Sequence, residues 1–242
     1  IQPIRLHEKF DLPNSPRHRL VRRVPSSSAP FPSAPILFGP PSSSEGSSMP
    51  QLSLLGVAGS VRQPSRTAVL VEEVLDAIGA RLGMAGRLVE LGAQGIARFD
   101  ALARDGLKGE ALALIEAIER ADVLVVGTPV FRASYTGLFK HVFDLVHHDA
   151  LAGKTVVLTA TGGTPLHGLV MEHQLRPLFG FFRAHTVPST VYATEADFNG
   201  YVLASPLVQE RIERVADEAV RLSAAGGITL PGPARGPVPL NA

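Results

Sequence analysis

Leu52-Ser53-Leu54-Leu55-Gly56-Val57-Ala58 runs directly into Gly59-Ser60-Val61-Arg62-Gln63-Pro64-Ser65-Arg66-Thr67. From Arg66 to Leu82 the apolar residues Ala68, Val69, Val71, Leu75 and Ile78 then recur at helical spacing. Strand, hydroxyl-rich loop and helix in that order are the opening unit of an α/β sheet. The pattern repeats along the chain. Arg87–Leu91 reads as a short second strand, and Gly109–Arg120 as a helix with Leu112, Ile115 and Ile118 inward. Asp122–Thr128 is nearly all apolar, as a strand covered on both faces should be. Thr136–His147 reads as a helix and Lys154–Thr161 as strand four. A further helix runs from near His167 towards Arg183, where Pro177 can kink or interrupt it. Thr186–Ala193 is strand five and Pro206–Ala224 the closing helix. The expectation is an α/β doubly wound, five-stranded parallel sheet in the order 2-1-3-4-5, with a cleft beside strands one and three.

Composition narrows the function classes. The 242 residues are 45% hydrophobic and 19% charged with a net charge of +1, so no strong field favours nucleic acid or an anionic membrane. Without cysteine there is no disulfide, catalytic thiol or thiolate metal site. No apolar run approaches the roughly 20 residues that span a bilayer, so a soluble, cytoplasmic protein is expected. Pro and Ser supply 19 of residues 1–48, which have no sustained apolar period and read as a disordered low-complexity extension. Met49 reads as the natural start and the upstream stretch as read-through or an inert tail. A targeting peptide is the rival reading, because Arg17, Arg19, Arg22 and Arg23 cluster with few acids nearby. The folded domain is expected over 49–224 and a loose tail over 225–242.

Three loops on one rim carry the chemistry. In the first, Ser60, Ser65 and Thr67 offer hydroxyl donors and Arg62 or Arg66 a charge-assisted pair, just before a helix N-terminus. That is the chemistry of a phosphate cradle, although a serine N-cap with solvated arginines fits the same residues. The helix dipole contributes only about 0.3–1 kcal/mol, up to ~2 when partly buried, so hydroxyls and arginine must carry much of the affinity. The second loop, Gly127 to Gly137, offers Thr128, Pro129, Val130, Phe131, Ser134 and Tyr135, an apolar shelf with polar edges suited to a flat heteroaromatic ring. It reads equally as a strand-to-helix connection in which Phe131 and Tyr135 pack. In the third, Thr161-Gly162-Gly163-Thr164, two glycines allow close backbone approach and present N–H donors. Donors there would favour a reduced, anionic ring; a plain turn is the alternative.

Other motifs carry less. His147-His148-Asp149 at a helix end is a poor metal site if adjacent histidines diverge, and His167 and His173 miss the spacing of a zinc-protease helix. No metal is expected. There is no Gly-x-Ser-x-Gly elbow, no Gly-x-Gly-x-x-Gly fingerprint and no Walker loop. Lys140 and Asp144, one turn apart, read as a structural pair.

Taken together, Gly59-Ser60-x-Arg62-x-x-Ser65-Arg66-Thr67, the run Ala121 to Lys140, Ala160-Thr161-Gly162-Gly163 and His173-Gln174-Leu175-Arg176-Pro177-Leu178 resemble the NAD(P)H-dependent FMN reductases of flavodoxin-like fold. Of these, Ala160-Thr161-Gly162-Gly163 and the run His173 to Leu178 look like the branch serving two-component alkanesulfonate or methanesulfonate monooxygenases. The resemblance runs from about 51 to 222. It implies that Ser60, Arg62, Ser65, Arg66 and Thr67 surround the FMN phosphate, and that Pro129, Val130, Phe131, Arg132, Gly162 and Gly163 meet the isoalloxazine, with Tyr135 and Thr161 beside them. Phe131 stands where relatives commonly carry Tyr. Relatives can also carry a π-bulge in the helix after strand three, near Tyr135 and His141 here.

The implied reaction is hydride transfer from NADH or NADPH to FMN, with no side chain required as acid or base. Reduced flavin then leaves for a separate monooxygenase. Phe139, Phe143, Leu175, Leu178, Phe179, Phe181 and Phe182 exceed what one small core requires, which suggests a homodimer or homotetramer. Two rivals remain open: a reductase of quinones, azo dyes or chromate that holds FMN tightly, and a flavodoxin-type electron carrier. The missing Trp and near-neutral charge disfavour the carrier.

Overall fold

The computed structural model describes residues 52–93 and 101–226. The expectations for 1–48 and for most of 225–242 fall outside those residues. In chain order the elements are β1 (Leu54–Ala58), α1 (Arg66–Leu82), β2 (Arg87–Glu90), α2 (Gly109–Arg120), β3 (Val123–Pro129), α3 (Gly137–Leu145) and β4 (Thr155–Gly162). A π-helical stretch, Met171–Leu175, and α4 (Arg176–Phe181) follow, then β5 (His185–Thr186) and β6 (Val191–Thr194). A two-stranded hairpin, β7 (Phe198–Asn199) and β8 (Val202–Leu203), leads into α5 (Pro206–Ala225).

The main sheet is parallel in the order β2-β1-β3-β4-β5, as expected, with β6 also beside β4. The fifth strand therefore occupies one position but in two pieces. His185 and Thr186 sit opposite Thr155 and Val156, while Val191 to Thr194 sit opposite Thr159 to Gly162. Between the pieces Pro188 has no N–H for a ladder. There Arg176 donates to the carbonyls of Val187 and Pro188, at 3.0 and 3.1 Å, so a side chain replaces the missing strand contact.

Period-2 alternation divides the core between the two faces of the sheet. Leu124, Val126, Val156 and Leu158 meet Ile115, Ile118, Phe139 and Phe143 on one side. Val123, Val125 and Val157 meet Leu70, Val74, Ile78, Ile212 and Val215 of α1 and α5 on the other. Ser65 caps α1 by accepting from the Ala68 N–H at 3.2 Å, and Gly83 ends it at φ 66°, the left-handed conformation that glycine adopts without a Cβ penalty.

The helix expected from near His167 towards Arg183 is interrupted beside Pro177, as that residue allowed: the π-helical turn Met171–Leu175 gives way to α4, whose first two positions include Pro177, where its missing N–H is tolerated. The π-helical turn lies after β4, whereas Gly137–Leu145, after β3, is α-helical, so neither Tyr135 nor His141 borders it. The apolar surplus also shrinks. Phe139, Phe143, Leu175, Phe179 and Phe182 are buried within the chain, with Phe143 packed at 4.7 Å on Phe139 and edge-on at 5.0 Å to Phe179. Of the seven residues only Phe181 is exposed, joined on the same segment by Leu166 and Leu169. No helix among the described residues is long and apolar enough to cross a membrane.

Candidate functional site

The three loops meet at the carboxyl ends of β1, β3 and β4, and backbone geometry ties them together. Gly59 donates to the Gly127 carbonyl at 2.7 Å, joining the first loop to the end of β3. Thr136, the N-cap of α3, accepts from Phe139 N–H and gives its proton to the Gly59 carbonyl at 2.8 Å. The Val130 N–H reaches the Thr161 carbonyl at 2.7 Å, joining the second loop to the third. Glycine is dictated at these junctions by packing: a Cβ on Gly59 would lie 2.6 Å from the Phe139 ring, and one on Gly127 2.6 Å from Thr159 Oγ1.

Between the loops lies a hollow of about 320 Å³. Ser60, Arg62, Ser65, Arg66 and Thr67 line part of it, and Pro129, Val130, Phe131, Thr161, Gly162 and Gly163 another part. Eleven of the thirteen residues singled out from sequence thus share one cavity. Arg132 and Tyr135 do not line it. Arg132 and Ala133 form the tip of a tight turn with φ 52° and 62°, closed by reciprocal hydrogen bonds between Phe131 and Ser134. Two successive residues with positive φ are usual for Asn-Gly, not Arg-Ala, so the turn carries backbone strain of roughly 1–3 kcal/mol per residue. Tyr135 instead packs on Phe139, with ring centres 5.9 Å apart.

The donor inventory differs from residue to residue. The Ser65 oxygen is engaged as a cap, which leaves its hydroxyl proton available. Helix geometry leaves the N–H groups of Arg66 and Thr67 without intrahelical acceptors. The Ser60 hydroxyl donates to the Arg62 carbonyl at 3.0 Å and fixes the loop. Thr67 Oγ1 and Thr161 Oγ1 lie 2.6 Å apart, both buried; whichever donates, the other keeps a proton for a third group. Arg62 is exposed, whereas Arg66 is paired with Glu195 at 2.8 Å.

The two glycines of the third loop are there for different reasons. A Cβ on Gly162 would overlap the Tyr192 hydroxyl and come 3.1 Å from its Cζ; at Gly163 it would meet nothing within 4 Å. Protein packing therefore demands the first glycine and not the second. Tyr192 donates to the Thr164 carbonyl at 2.7 Å, and burial pushes its phenol pKa up.

Sequence reasoning missed five lining residues: Pro64 within the first loop, and Thr194, Glu195, Phe198 and Tyr201, which arrive from the far end of β6 and the β7–β8 hairpin. One signal was present: Thr194-x-x-Asp197 is a capping box, closed here by Asp197 accepting from Thr194 N–H at 2.7 Å and Thr194 Oγ1 at 2.8 Å. Burial raises the Asp197 pKa, but hydrogen bonds from Thr194 and Ser205 outweigh it and hold the carboxyl below its ordinary value.

The histidine pair departs from expectation in geometry. α3 stops at Leu145, so His147 and His148 are not helical and their rings stack 4.3 Å apart. Asp149 is engaged by His148 and by Arg183, and the exposed group lies near the start of β4, away from the hollow. Lys140 and Asp144 form the expected pair.

A family model described as NADPH-dependent FMN reductase matches residues 52–198, more than half of the chain. The NADH-dependent FMN reductase SfnF of Pseudomonas putida is 48% identical over 165 residues, 66% of this chain and 87% of that protein. An FMN reductase (NADPH) of Pseudomonas aeruginosa is 44% identical over 169 residues, 70% of this chain and 91% of its own length. Among solved structures, the apo form of the NADH:FMN oxidoreductase EmoB superposes with a TM-score of 0.63 at 30% identity, covering 72% of this chain and 90% of that one. The chain accordingly belongs to the NADPH-dependent FMN reductase family and is an NAD(P)H:FMN oxidoreductase of flavodoxin-like fold.

Proposed function

We propose that the hollow holds FMN, that NADH or NADPH reduces it there, and that the reduced flavin passes to a separate flavin-dependent monooxygenase in organosulfur metabolism. One observation carries this reading: a hydroxyl-and-arginine loop, an apolar shelf and an uncovered glycine converge on a single cavity. In this assignment Arg62, Ser65 and the first N–H groups of α1 hold the phosphate, with Ser60, Arg66 and Thr67 around it. Pro129, Val130 and Phe131 support the ring, while Thr161, Gly162 and Gly163 border its polar edge; Arg132 and Tyr135, which do not line the hollow, are given no contact with it. FMN, when bound, supplies the hydride-accepting ring. The chain binds, orients and shields it; no side chain is assigned a proton-transfer role.

The names of the relatives, which include NADH- and NADPH-dependent enzymes, support either donor. Exposed Leu166, Leu169 and Phe181 support self-association into a dimer or tetramer, measurable by light scattering. The deciding experiment follows nicotinamide oxidation by purified protein, with and without added FMN. Dependence on added FMN is expected; full turnover on flavin that copurifies would favour the tightly flavin-bound reductase instead.

A further inference from the structure

Arg66, at the mouth of the hollow, already has three partners. Its Nη2 pairs with Glu195 Oε1 at 2.8 Å, its Nε donates to the Gly200 carbonyl at 3.0 Å, and its guanidinium lies 5.3 Å from the centre of the Tyr201 ring. All three belong to the segment that follows β6. The backbone at Glu195 is held in this position. It opens the short 3-10 turn Glu195–Asp197, which the Thr194–Asp197 capping box closes, and the Asp197 carbonyl accepts from the N–H groups of Ala204 and Ser205 at 2.9 and 3.1 Å. The carboxylate itself remains 74% exposed while lining the same hollow as Ser60, Arg62 and Ser65.

A phosphate monoester carries about −1.5 to −2 charges at neutral pH. Its approach to this loop therefore brings it against a carboxylate that holds one of the two arginines. We infer that Glu195 is a built-in stand-in for the FMN phosphate on Arg66, displaced when the phosphate arrives, and that it thereby sets how tightly and how long FMN is held. The inference rests on the proposed seating of the FMN phosphate in the 59–67 loop. Binding then exchanges one ion pair for another at Arg66, so the net gain there is small, and Arg62 supplies the unshared charge. The hairpin stays attached through the Gly200 carbonyl and the Tyr201 ring while Glu195 lets go. FMN is consequently held less tightly than two unpaired arginines would hold it, which suits a protein that hands its flavin on.

The test is Glu195→Gln in the full chain, which keeps the side-chain length and removes the charge. FMN and riboflavin dissociation constants and off-rates would be read by flavin fluorescence. FMN should bind about three- to tenfold tighter at low salt and leave correspondingly more slowly. The gain should shrink as salt rises towards 1 M and the screening length falls to about 3 Å. Riboflavin, which lacks the phosphate, should stay within about twofold. An unchanged FMN affinity, tightening of both flavins alike, or weakening of both alike would each overturn the exchange. Arg62→Ala, measured in parallel, separates the two ideas. If it weakens both flavins equally, the seating of the phosphate itself fails; if it weakens FMN selectively while Glu195→Gln leaves FMN unchanged, only the exchange fails.

Discussion

Gly162 and Gly163 are neighbours of identical chemistry, yet the same substitution should damage the protein in opposite ways. In Gly162→Ala the new methyl overlaps the Tyr192 hydroxyl and approaches its Cζ to 3.1 Å. Tyr192 cannot swing freely, because its hydroxyl donates to Thr164 at 2.7 Å and its ring packs near Gly168. Overpacking costs about 1–3 kcal/mol, and loss of the Tyr192 hydrogen bond about 1 kcal/mol more. The sum, roughly 2–4 kcal/mol, corresponds to a fall in Tm of about 5–15 °C for a domain of this size. At Gly163 nothing lies within 4 Å, so Gly163→Ala should change stability by less than ~0.5 kcal/mol while weakening FMN severalfold. Thermal unfolding without flavin and fluorescence titration with FMN read the two effects separately. Adding Tyr192→Phe to Gly162→Ala removes the overlapping oxygen and should recover part of the lost stability, a coupling that a double-mutant cycle detects. Equal Tm losses for the two alanine variants, or no recovery in the double variant, would refute the packing argument.

Three further outcomes follow from the site. Arg62→Ala should weaken FMN by about 10- to 100-fold, the worth of a charge-assisted hydrogen bond of 1.5–3 kcal/mol, and riboflavin by less than threefold in the same titration. Thr67→Val strips Thr161 of its buried partner at 2.6 Å and should cost about 1–3 kcal/mol in denaturant unfolding, with the Thr67→Val/Thr161→Val pair costing less than the sum of the singles. Because the folded Asp197 pKa is depressed, the stability it contributes is present above the unfolded carboxylate value near 3.9 and is lost as pH falls through the folded value. The Tm gap between wild type and Asp197→Ala should therefore close on acidification below about pH 4, as followed by circular dichroism.

What was legible in the chain was local. Helical spacing from Arg66 to Leu82 and the unbroken apolar run at Val123 to Val126 specify their elements through the neighbours they must bury against. Ser65 marks the start of α1 because only a short polar side chain caps a free N–H there. The chain also carried the three loops and, through the alternation of strands and helices, the rim on which they would meet. Sequence reasoning went astray where distant residues decide. Strand five was read as continuous because nothing local reveals that Arg176 would take over the carbonyls beside Pro188. The apolar helices looked excessive because the stacking of Phe143 between Phe139, Phe179 and Phe182 exists only once α3 and α4 pack together.

The same division holds within the site. The sequence alone determined that hydroxyls, arginines and glycines follow β1 and β4, since chain order suffices to put them at strand ends. Only the tertiary structure decided which of them share the hollow, that Arg66 is already engaged by Glu195, and that Gly162 answers to Tyr192 while Gly163 faces open space. Those facts depend on contacts across 30 to 134 residues of chain, Gly162 to Tyr192 and Arg66 to Gly200, and such contacts follow from how packed layers bring remote segments together.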